Sequence, residues 1–262
     1  MNIRTLITSM AILAVVPYAA SGTFTLTGSD FLAVTSYHTQ GGLYDDSLAD
    51  IQPGGSVGQL SVHDNSNVIL SGGSVNQLSA YDNSGVLLSG GSIGQLSASQ
   101  SSIVTISDGF ISELYADGIS TVHLSGGSAT ELSAYGSSTV NISGGAVTVY
   151  LGGWEASEIE LTGGAIAYLD AGDFSWTTFY GYGWSATSGL SIVGDQLFGT
   201  GWLSGFWADG TSWNTEIGWN DDTATIRLVE SSAPPVIPAP SAIFLAAMGV
   251  SMVGCLHRRH AL

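Results

Sequence analysis

The chain has 262 residues, of which 36 are glycine and 10% are charged, with 21 acidic against four basic side chains and a net charge of −17. A surface this acidic repels phosphate backbones and anionic lipid headgroups, so we expect no nucleic-acid partner. The single cysteine, Cys255, lies near the C-terminus, so the preceding domain is expected to fold without disulfide bonds, even in an oxidising compartment.

The first 21 residues have the organisation of a secretory signal peptide. Arg4 precedes an apolar run from Leu6 to Val16, and Ala19 and Ser21 then suit a small-x-small cleavage rule. Cleavage after Ala20 is an alternative. Residues 1–21 are therefore predicted to direct export and to be removed by signal peptidase.

Glycine pairs recur through the middle of the chain at a spacing of 18 residues. They start at Gly54, Gly72, Gly90, Gly126 and Gly144, Asp108–Gly109 fills the one gap, and another pair follows at Gly163. A fixed short period of this kind is the signature of a solenoid, in which each repeat stacks on the one before it.

Apolar residues recur in the same register and identify the core. One predicted column is Leu60, Leu78, Leu96, Leu114 and Leu132, continuing through Tyr150 to Leu169. Val-x-Leu segments such as Val68 to Leu70 alternate with the period of a strand that has one face buried. We predict an all-β protein built on a parallel β-solenoid of about seven coils, from about Gly42 to Ser175, with coils ~4.8 Å apart.

The ends of the solenoid need caps, because each end is a bare sheet edge. Residues 22–41 are the candidate N-terminal cap, so residues 22–175 form the cap and the repeats. Residues 176–230 are predicted to be an aromatic-rich β cap, since all seven tryptophans lie between Trp154 and Trp219. Residues 231–240 form a Pro-rich linker.

Three aspartates, Asp46, Asp64 and Asp82, fall 18 residues apart and are expected to form one column. Stacked carboxylates repel unless a cation or protons intervene, and calcium prefers such oxygen ligands. The alternative is that the three are exposed turn residues. No other cofactor is indicated.

Two further polar columns have structural explanations. Gln59, Gln77 and Gln95, followed by Glu113 and Glu131, suggest a ladder of hydrogen-bonded side chains on the surface. An acid/base role for the Glu113–Glu131 pair is the alternative. An unbroken serine column is expected to be a ladder of turn hydroxyl groups rather than a set of nucleophiles. Its members are Ser66, Ser84, Ser102, Ser120 and Ser138.

The aromatic-rich segment 174–220 is the candidate for ligand binding, because exposed aromatic faces can stack on sugar rings. The candidate side chains are Trp176, Tyr180, Tyr182, Trp184 and Trp207. Asp173, Asp209, Asp221 and Asp222 are candidate partners for sugar hydroxyl groups. The alternative is that these aromatics form the core of the cap.

The C-terminus combines a Pro-rich stretch, an apolar run from Ala242 to Leu256 and a pair of arginines. The run makes about 22 Å of helix at ~1.5 Å per residue, so with its flanking residues 241–262 could just span a membrane with the arginines in the cytoplasm. This tail resembles the PEP-CTERM sorting signal of envelope-bearing bacteria. The matching residues are Ile237, Pro238, Pro240, Ser241, Arg258 and Arg259, with Ala239 where the family usually has Glu.

The resemblance implies processing by an exosortase-type membrane enzyme and sorting linked to exopolysaccharide production. The repeats followed by Leu203–Gly210 are also similar to other exported PEP-CTERM proteins. The expected protein is non-enzymatic and passes through the inner membrane to the cell surface or extracellular matrix, where it has a structural or adhesive role. The alternatives are a carbohydrate-binding module centred on residues 174–220 and a polysaccharide-degrading β-helix enzyme.

Overall fold

The structure is a computed structural model that describes residues 22–187, 189–220 and 223–232. All regular secondary structure within these ranges is β-strand, which confirms the all-β prediction. None of these residues forms a helix with the length and apolar character needed to cross a bilayer. The predicted signal peptide, sorting motif and C-terminal helix lie outside the described residues.

One coil consists of two short strands joined by two turns, as the segment from Asn67 to Ser84 illustrates. In Asn67–Leu70, the side chains of Val68 and Leu70 point inward. A glycine-containing bend follows, and the second part of the strand then forms another face of the solenoid. A four-residue corner, 81–84, closes the coil with a hydrogen bond from the Ser84 N–H to the Tyr81 carbonyl at 3.0 Å. Apolar residues at alternate positions therefore meet inside the coil.

The coils stack into two parallel sheets. Sheet 1 contains the Val-x-Leu strands, and sheet 2 contains the strands that alternate with them along the chain. Three long strands contribute their first residues to sheet 1 and their last residues to sheet 2: β6 (Asn67–Ala80), β7 (Gly85–Ala98) and β8 (Ile103–Ala116).

The remaining solenoid strands belong to one sheet each. Sheet 1 also contains β2 (Phe31–Val34), β4 (Leu48–Ile51), β9 (Thr121–Leu124), β11 (Thr139–Ile142), β13 (Glu158–Leu161), β16 (Trp176–Ala186) and β21 (Thr225–Glu230). Sheet 2 also contains β1 (Gly22–Leu26), β3 (Tyr37–Leu43), β5 (Ser56–Val62), β10 (Ser128–Ala134), β12 (Ala146–Gly153), β14 (Ala165–Ile166), β15 (Tyr168–Ala171) and β20 (Ser212–Asn220).

The parallel β-solenoid is confirmed, but it has about nine turns rather than seven. The predicted N-terminal cap is wrong, because β1 and β2 pair in parallel with β3 and β4 as ordinary coil strands. The solenoid also continues beyond Ser175. β16 extends sheet 1, and β20 and β21 add a further layer to sheets 2 and 1.

An antiparallel excursion separates β16 from that last layer. β17 (Leu190–Val193) and β18 (Gln196–Gly199) form a hairpin, and β19 (Gly201–Trp207) pairs antiparallel with both β16 and β20. Leu197, Leu203 and Trp207 are buried here and extend the apolar core over the last coil.

One predicted core position is wrong. The core column runs from Leu132 through Leu151 to Leu169, whereas Tyr150 pairs with Glu131 and its side chain lies half-buried on the outer surface. The cause is a register shift between β10 and β12, which absorbs one extra residue. Counting 18 residues at a time therefore misassigns this coil.

Candidate functional site

The corners that lead from sheet 2 into sheet 1 share an unusual backbone conformation. The second residue of the corner has a positive φ, which is 57° at Asp64 and 56° at Asp82. Asp, Asn and Gly are the residues most often found in this left-handed region. The same conformation occurs at Gly28, Asp45, Gln100, Gly118, Gly136, Glu155 and Asp173.

Side chains at these positions form a ladder along the corner. The Asp45 N–H donates to Asp64 Oδ2 at 3.1 Å, and the Asp64 N–H donates to Asp82 Oδ2 at 3.2 Å. The Asp82 N–H donates in turn to Gln100 Oε1 at 2.8 Å. Each side chain thus accepts from the backbone of the preceding coil, which stabilises a corner that sheet pairing leaves open.

The predicted column of Asp46, Asp64 and Asp82 is wrong. The coil between Asp45 and Asp64 has one extra residue, so Asp46 lies beside Asn65 and accepts a hydrogen bond from its Nδ2 at 3.3 Å. Among the residues that the structure describes, no three His, Cys, Asp or Glu side chains are arranged to hold a metal ion.

The glutamine ladder is present and begins one coil earlier than predicted. Gln40 Nε2 donates to Gln59 Oε1 at 3.1 Å, and Gln59 Nε2 donates to Gln77 Oε1 at 2.9 Å. Gln95 Nε2 donates to Glu113 Oε2 at 3.2 Å, and Glu113 and Glu131 are then paired on adjacent strands. Gln40, Gln59 and Gln95 thus each donate to a side chain on the next coil, and these bonds tie successive coils together.

The serine column points into the solenoid. Ser66, Ser84, Ser102, Ser120 and Ser138 all have zero exposure. The Ser66 hydroxyl accepts from the His63 N–H in its own corner at 3.2 Å, and the Ser138 hydroxyl donates to the Ala116 carbonyl of the preceding coil at 3.3 Å. These hydroxyl groups are therefore structural, as predicted.

Trp207 does not present a face to solvent, and its assignment to glycan stacking is wrong. It is 3% exposed, its Nε1 donates to the Gly164 carbonyl at 3.0 Å, and its ring stacks on Trp213 with centroids 4.6 Å apart. Phe179, which lies in β16, also stacks on Trp213. The rings of Phe179, Trp207 and Trp213 therefore form the core of the C-terminal end.

The other four predicted aromatics lie at or near the surface. Trp176 is 53% exposed, whereas Tyr180, Tyr182 and Trp184 are half-buried. The Tyr180 hydroxyl donates to Glu160 at 3.2 Å, and Tyr182 stacks on Phe206. These four side chains lie along β16 and contact different residues, so they do not form one continuous stacking surface. Of the candidate carboxylates, Asp221 and Asp222 lie outside the described residues.

A shallow pocket of about 340 Å³ lies beside Trp184, between the β17–β18 hairpin and β21. Asp195 and Arg227 line it, with Arg227 Nε 2.7 Å from Asp195 Oδ2. The hydrogen bond from Arg227 lowers the pKa of the Asp195 carboxyl group. This ion pair links the hairpin to the last strand of sheet 1.

A second aromatic surface lies on the later coils of sheet 2 and was not predicted. We call it the tyrosine face and define it as Tyr115, Tyr135, Tyr150, Trp154 and Tyr168, all of which are half-buried. Tyr150 and Tyr168 stack with centroids 6.1 Å apart. The earlier coils carry Ser or Gln where Tyr115 and Tyr150 stand, so their surface there is small and polar.

Glycines allow several of these rings to lie close to the sheet. Tyr150 and Trp154 occupy the space that a side chain at Gly152 would need, and Trp154 also covers Gly172. Tyr168 lies against Gly218 in the same way. A ring held against a sheet leaves one broad face for a ligand, which is the geometry that stacking on a flat apolar partner requires.

Carboxylates surround the tyrosine face and affect the tyrosine hydroxyl groups. The Tyr115 hydroxyl donates to Glu113 at 3.2 Å. Burial, together with Asp170, raises the pKa of Tyr150 to about 12, and burial and neighbouring carboxylates raise the pKa of Tyr115 and Tyr168. The phenols therefore stay protonated and can donate hydrogen bonds beside carboxylates that accept them.

A shallow pocket of about 380 Å³ opens at one side of this face. Its walls are Tyr115 and Tyr135, with Asp117 and Glu155 at the rim. Its volume falls near the lower end of small-molecule sites. In the sequence, this pocket is marked by Tyr115, which replaces the serine found at the same position of the preceding repeats. A consensus of the repeats does not show this single replacement.

We next compared the whole chain with known proteins. No protein-family model matches the chain, and no curated protein or solved structure is significantly similar to it.

Proposed function

We propose that this protein is an exported, non-enzymatic component of the cell envelope or extracellular matrix with a structural or adhesive role. The observation that carries the proposal is the continuous stack of coils, in which backbone pairing, the corner ladder and the glutamine ladder all run along the same axis. Such a stack resists bending because adjacent coils are joined at several points.

Export and sorting in this proposal follow from the two terminal segments. We propose that signal peptidase removes residues 1–21 and that an exosortase-type enzyme recognises the tail around Pro238, Ala239 and Pro240. The experiment is the intact mass of the native protein combined with cell fractionation. A mass lacking both ends, at the surface or in the matrix, is expected. A full-length chain in the cytoplasm would contradict the proposal.

The matched control replaces the arginine pair, Arg258→Ala with Arg259→Ala, and keeps the rest of the tail. If the tail is a sorting signal, this variant is expected to keep its tail and to remain in the inner membrane. Release of the double variant with an unchanged mass would show that the arginines play no part in sorting.

The tyrosine face favours a second candidate function, binding of a neutral polysaccharide. Its rings supply stacking surfaces, and its hydroxyl and carboxylate groups supply hydrogen bonds to sugar hydroxyl groups. Anionic polysaccharides are disfavoured because Asp117 and Glu155 line the pocket with negative charge.

The test is affinity electrophoresis in gels containing a neutral glucan, with an anionic alginate gel as the comparison. The native chain is expected to be retarded only in the neutral gel, and Tyr115→Ala with Tyr135→Ala is expected to remove the retardation. Trp176→Ala is the control for the predicted site on β16. Retardation lost only in the Trp176 variant would place the binding there, and no retardation in a panel of neutral glycans would remove this function.

A further inference from the structure

The two ends of the solenoid are finished differently. At the C-terminal end, β20 pairs antiparallel with β19 over Ser212 to Ile217, and β21 pairs antiparallel with β18 at Ile226 and Arg227. Buried Leu197, Leu203 and Trp207 lie in these added strands. The last coil is therefore covered by backbone partners and by apolar side chains.

The first coil has partners on one side only. Within the part of the chain that the structure describes, β1 pairs with β3 alone and β2 pairs with β4 alone. The outer edges of Gly22–Leu26 and Phe31–Val34 thus have no strand partner among the residues that the structure describes. Edges of this kind are templates for pairing with another strand.

The apolar core is also open at this end. Phe24 and Leu32 point inward and pack on the core, yet both remain half-exposed because no other strand of the described residues lies beyond the first coil. The Phe24 ring fills the space above Gly41 and contacts His38 edge-on at 5.2 Å. A partner on this surface would bury these side chains completely.

This end lacks the residues with which proteins usually protect a sheet edge. The two edge strands read GTFTL and FLAV, with no lysine, proline or acidic residue, and Asp30 is the only charged residue between Gly22 and Leu43. The chain carries 21 acidic residues, so a neutral end stands apart from the rest of its surface. Like-charge repulsion that would oppose self-association is therefore minimal here.

We propose that a second copy of this chain docks on the open edge, head to head about a two-fold axis. Each first coil would supply unpaired edge strands and half-exposed apolar side chains to the other, which is the self-complementarity that a two-fold interface requires. A head-to-tail stack is disfavoured, because β18 and β19 already cover the last coil. Backbone pairing between edge strands would supply much of the contact.

The resulting dimer is a rod of double length with the same aromatic-rich end at both tips. A tyrosine face would lie on each half, so one dimer could contact two partners at once. The proposed dimer rests on the removal of residues 1–21 proposed above, because that segment directly precedes β1. The dimer would present two copies of each binding surface and would therefore be bivalent.

The experiment measures distances between spin labels in the exported chain carrying Cys255→Ser, after its intact mass has shown that residues 1–21 are absent. Failure of processing is then distinguished from failure to dimerise. A label at Thr25→Cys, on the exposed face of β1, is expected to give a short distance between chains. A label at Asp209→Cys, near the opposite end, is expected to give a separation of roughly 80 Å or more, from about nine coils in each half at ~4.8 Å per coil. A short distance at Asp209, or no interchain distance at Thr25, would overturn the proposal.

A charge variant separates this interface from association through any other segment. Thr23→Lys with Thr25→Lys places four like charges across the two-fold axis, and sedimentation should then report the mass of a monomer. The control, Ser125→Lys with Ser143→Lys, makes the same charge change on exposed mid-solenoid positions and should leave a dimer. Dimers that persist in the edge variant, or a native chain that is monomeric at tens of micromolar, would overturn the proposal.

Discussion

The two ends of this solenoid differ in whether their strands follow the 18-residue repeat. At the C-terminal end, the chain departs from its 18-residue pattern into antiparallel strands and then returns to add a last layer. At the N-terminal end, β1 and β2 follow the ordinary coil geometry, and the pattern simply begins. The C-terminal end is thus closed by strands that break the repeat, whereas the first regular coil has a strand partner on one side only among the described residues.

Three stacked rings distinguish the closed end. Phe179, Trp207 and Trp213 pack against one another inside the added strands. The open end has no equivalent cluster among the described residues, and its two inward side chains stay half-exposed. Stability should therefore respond very differently to equivalent changes at the two ends.

The largest effect is expected from Trp207→Ala. Loss of a buried tryptophan and of its hydrogen bond to Gly164 should cost about 3–5 kcal/mol of the free energy of unfolding. Urea unfolding followed by tryptophan fluorescence and circular dichroism would measure it. The control is Trp176→Ala on the same end, which should change stability by less than about 0.5 kcal/mol because that side chain is exposed. Equal losses in the two variants would contradict the assignment of Trp207 to the core.

A leucine pair compares the middle of the stack with the open end. Leu78→Ala leaves a cavity among fully packed neighbours and should cost about 2–5 kcal/mol. Leu32→Ala should cost only about 1 kcal/mol in the Thr23→Lys, Thr25→Lys background, since the side chain is half-exposed in the monomer. Chemical denaturation provides both values. A Leu32 cost equal to that of Leu78 in the monomeric background would show that the first coil is covered by something else.

The corner ladder should have a smaller effect. Asp64→Ala removes the acceptor for the Asp45 N–H and places alanine at a positive φ, so we expect a loss of about 1–2 kcal/mol. Asp64→Asn keeps an acceptor and tolerates the conformation, and should lose much less. Thermal melts of the two variants would provide the comparison. A rise of the melting temperature with millimolar calcium in the native protein, absent in Asp64→Asn, would instead support a metal site.

The smallest expected effect is on alkaline stability. The pKa of Tyr150 is raised to about 12 by burial and by Asp170, whereas an unfolded tyrosine titrates near 10. Between these values the unfolded chain loses its proton first, so the free energy of unfolding should fall as the pH rises from about 10 to 12. Tyr150→Phe should make this fall shallower. An identical pH profile for native protein and variant would rule out a contribution from Tyr150.

Much of the fold follows from local pattern. Alternation such as Val68-x-Leu70 predicts a strand with one buried face, and the glycine pairs predict its recurrence, so the parallel solenoid could be predicted from the sequence alone. The serine column and the glutamine ladder followed from the same spacing, because identical residues at one coil position must lie above one another. These features depend only on residues within one period and on their repetition.

Other features depended on contacts that the local pattern does not contain. Extra residues near Asp45 and Tyr150 are absorbed in the stack, so counting placed Asp46 and Tyr150 in the wrong columns. Strand pairing sets register through the buried face, and a bulge can absorb one residue without disturbing the columns on either side.

The sequence by itself determined the strand period, the coil length and the inward columns, because these depend on neighbours along the chain. Only the tertiary structure decided which aromatics are buried, since Trp207 and Trp176 differ in the strands that cover them rather than in local pattern. It also decided how the two ends are finished. A cap forms when distant strands such as β18 and β19 return to the last coil, and pairing at that distance along the chain is a property of the assembled solenoid.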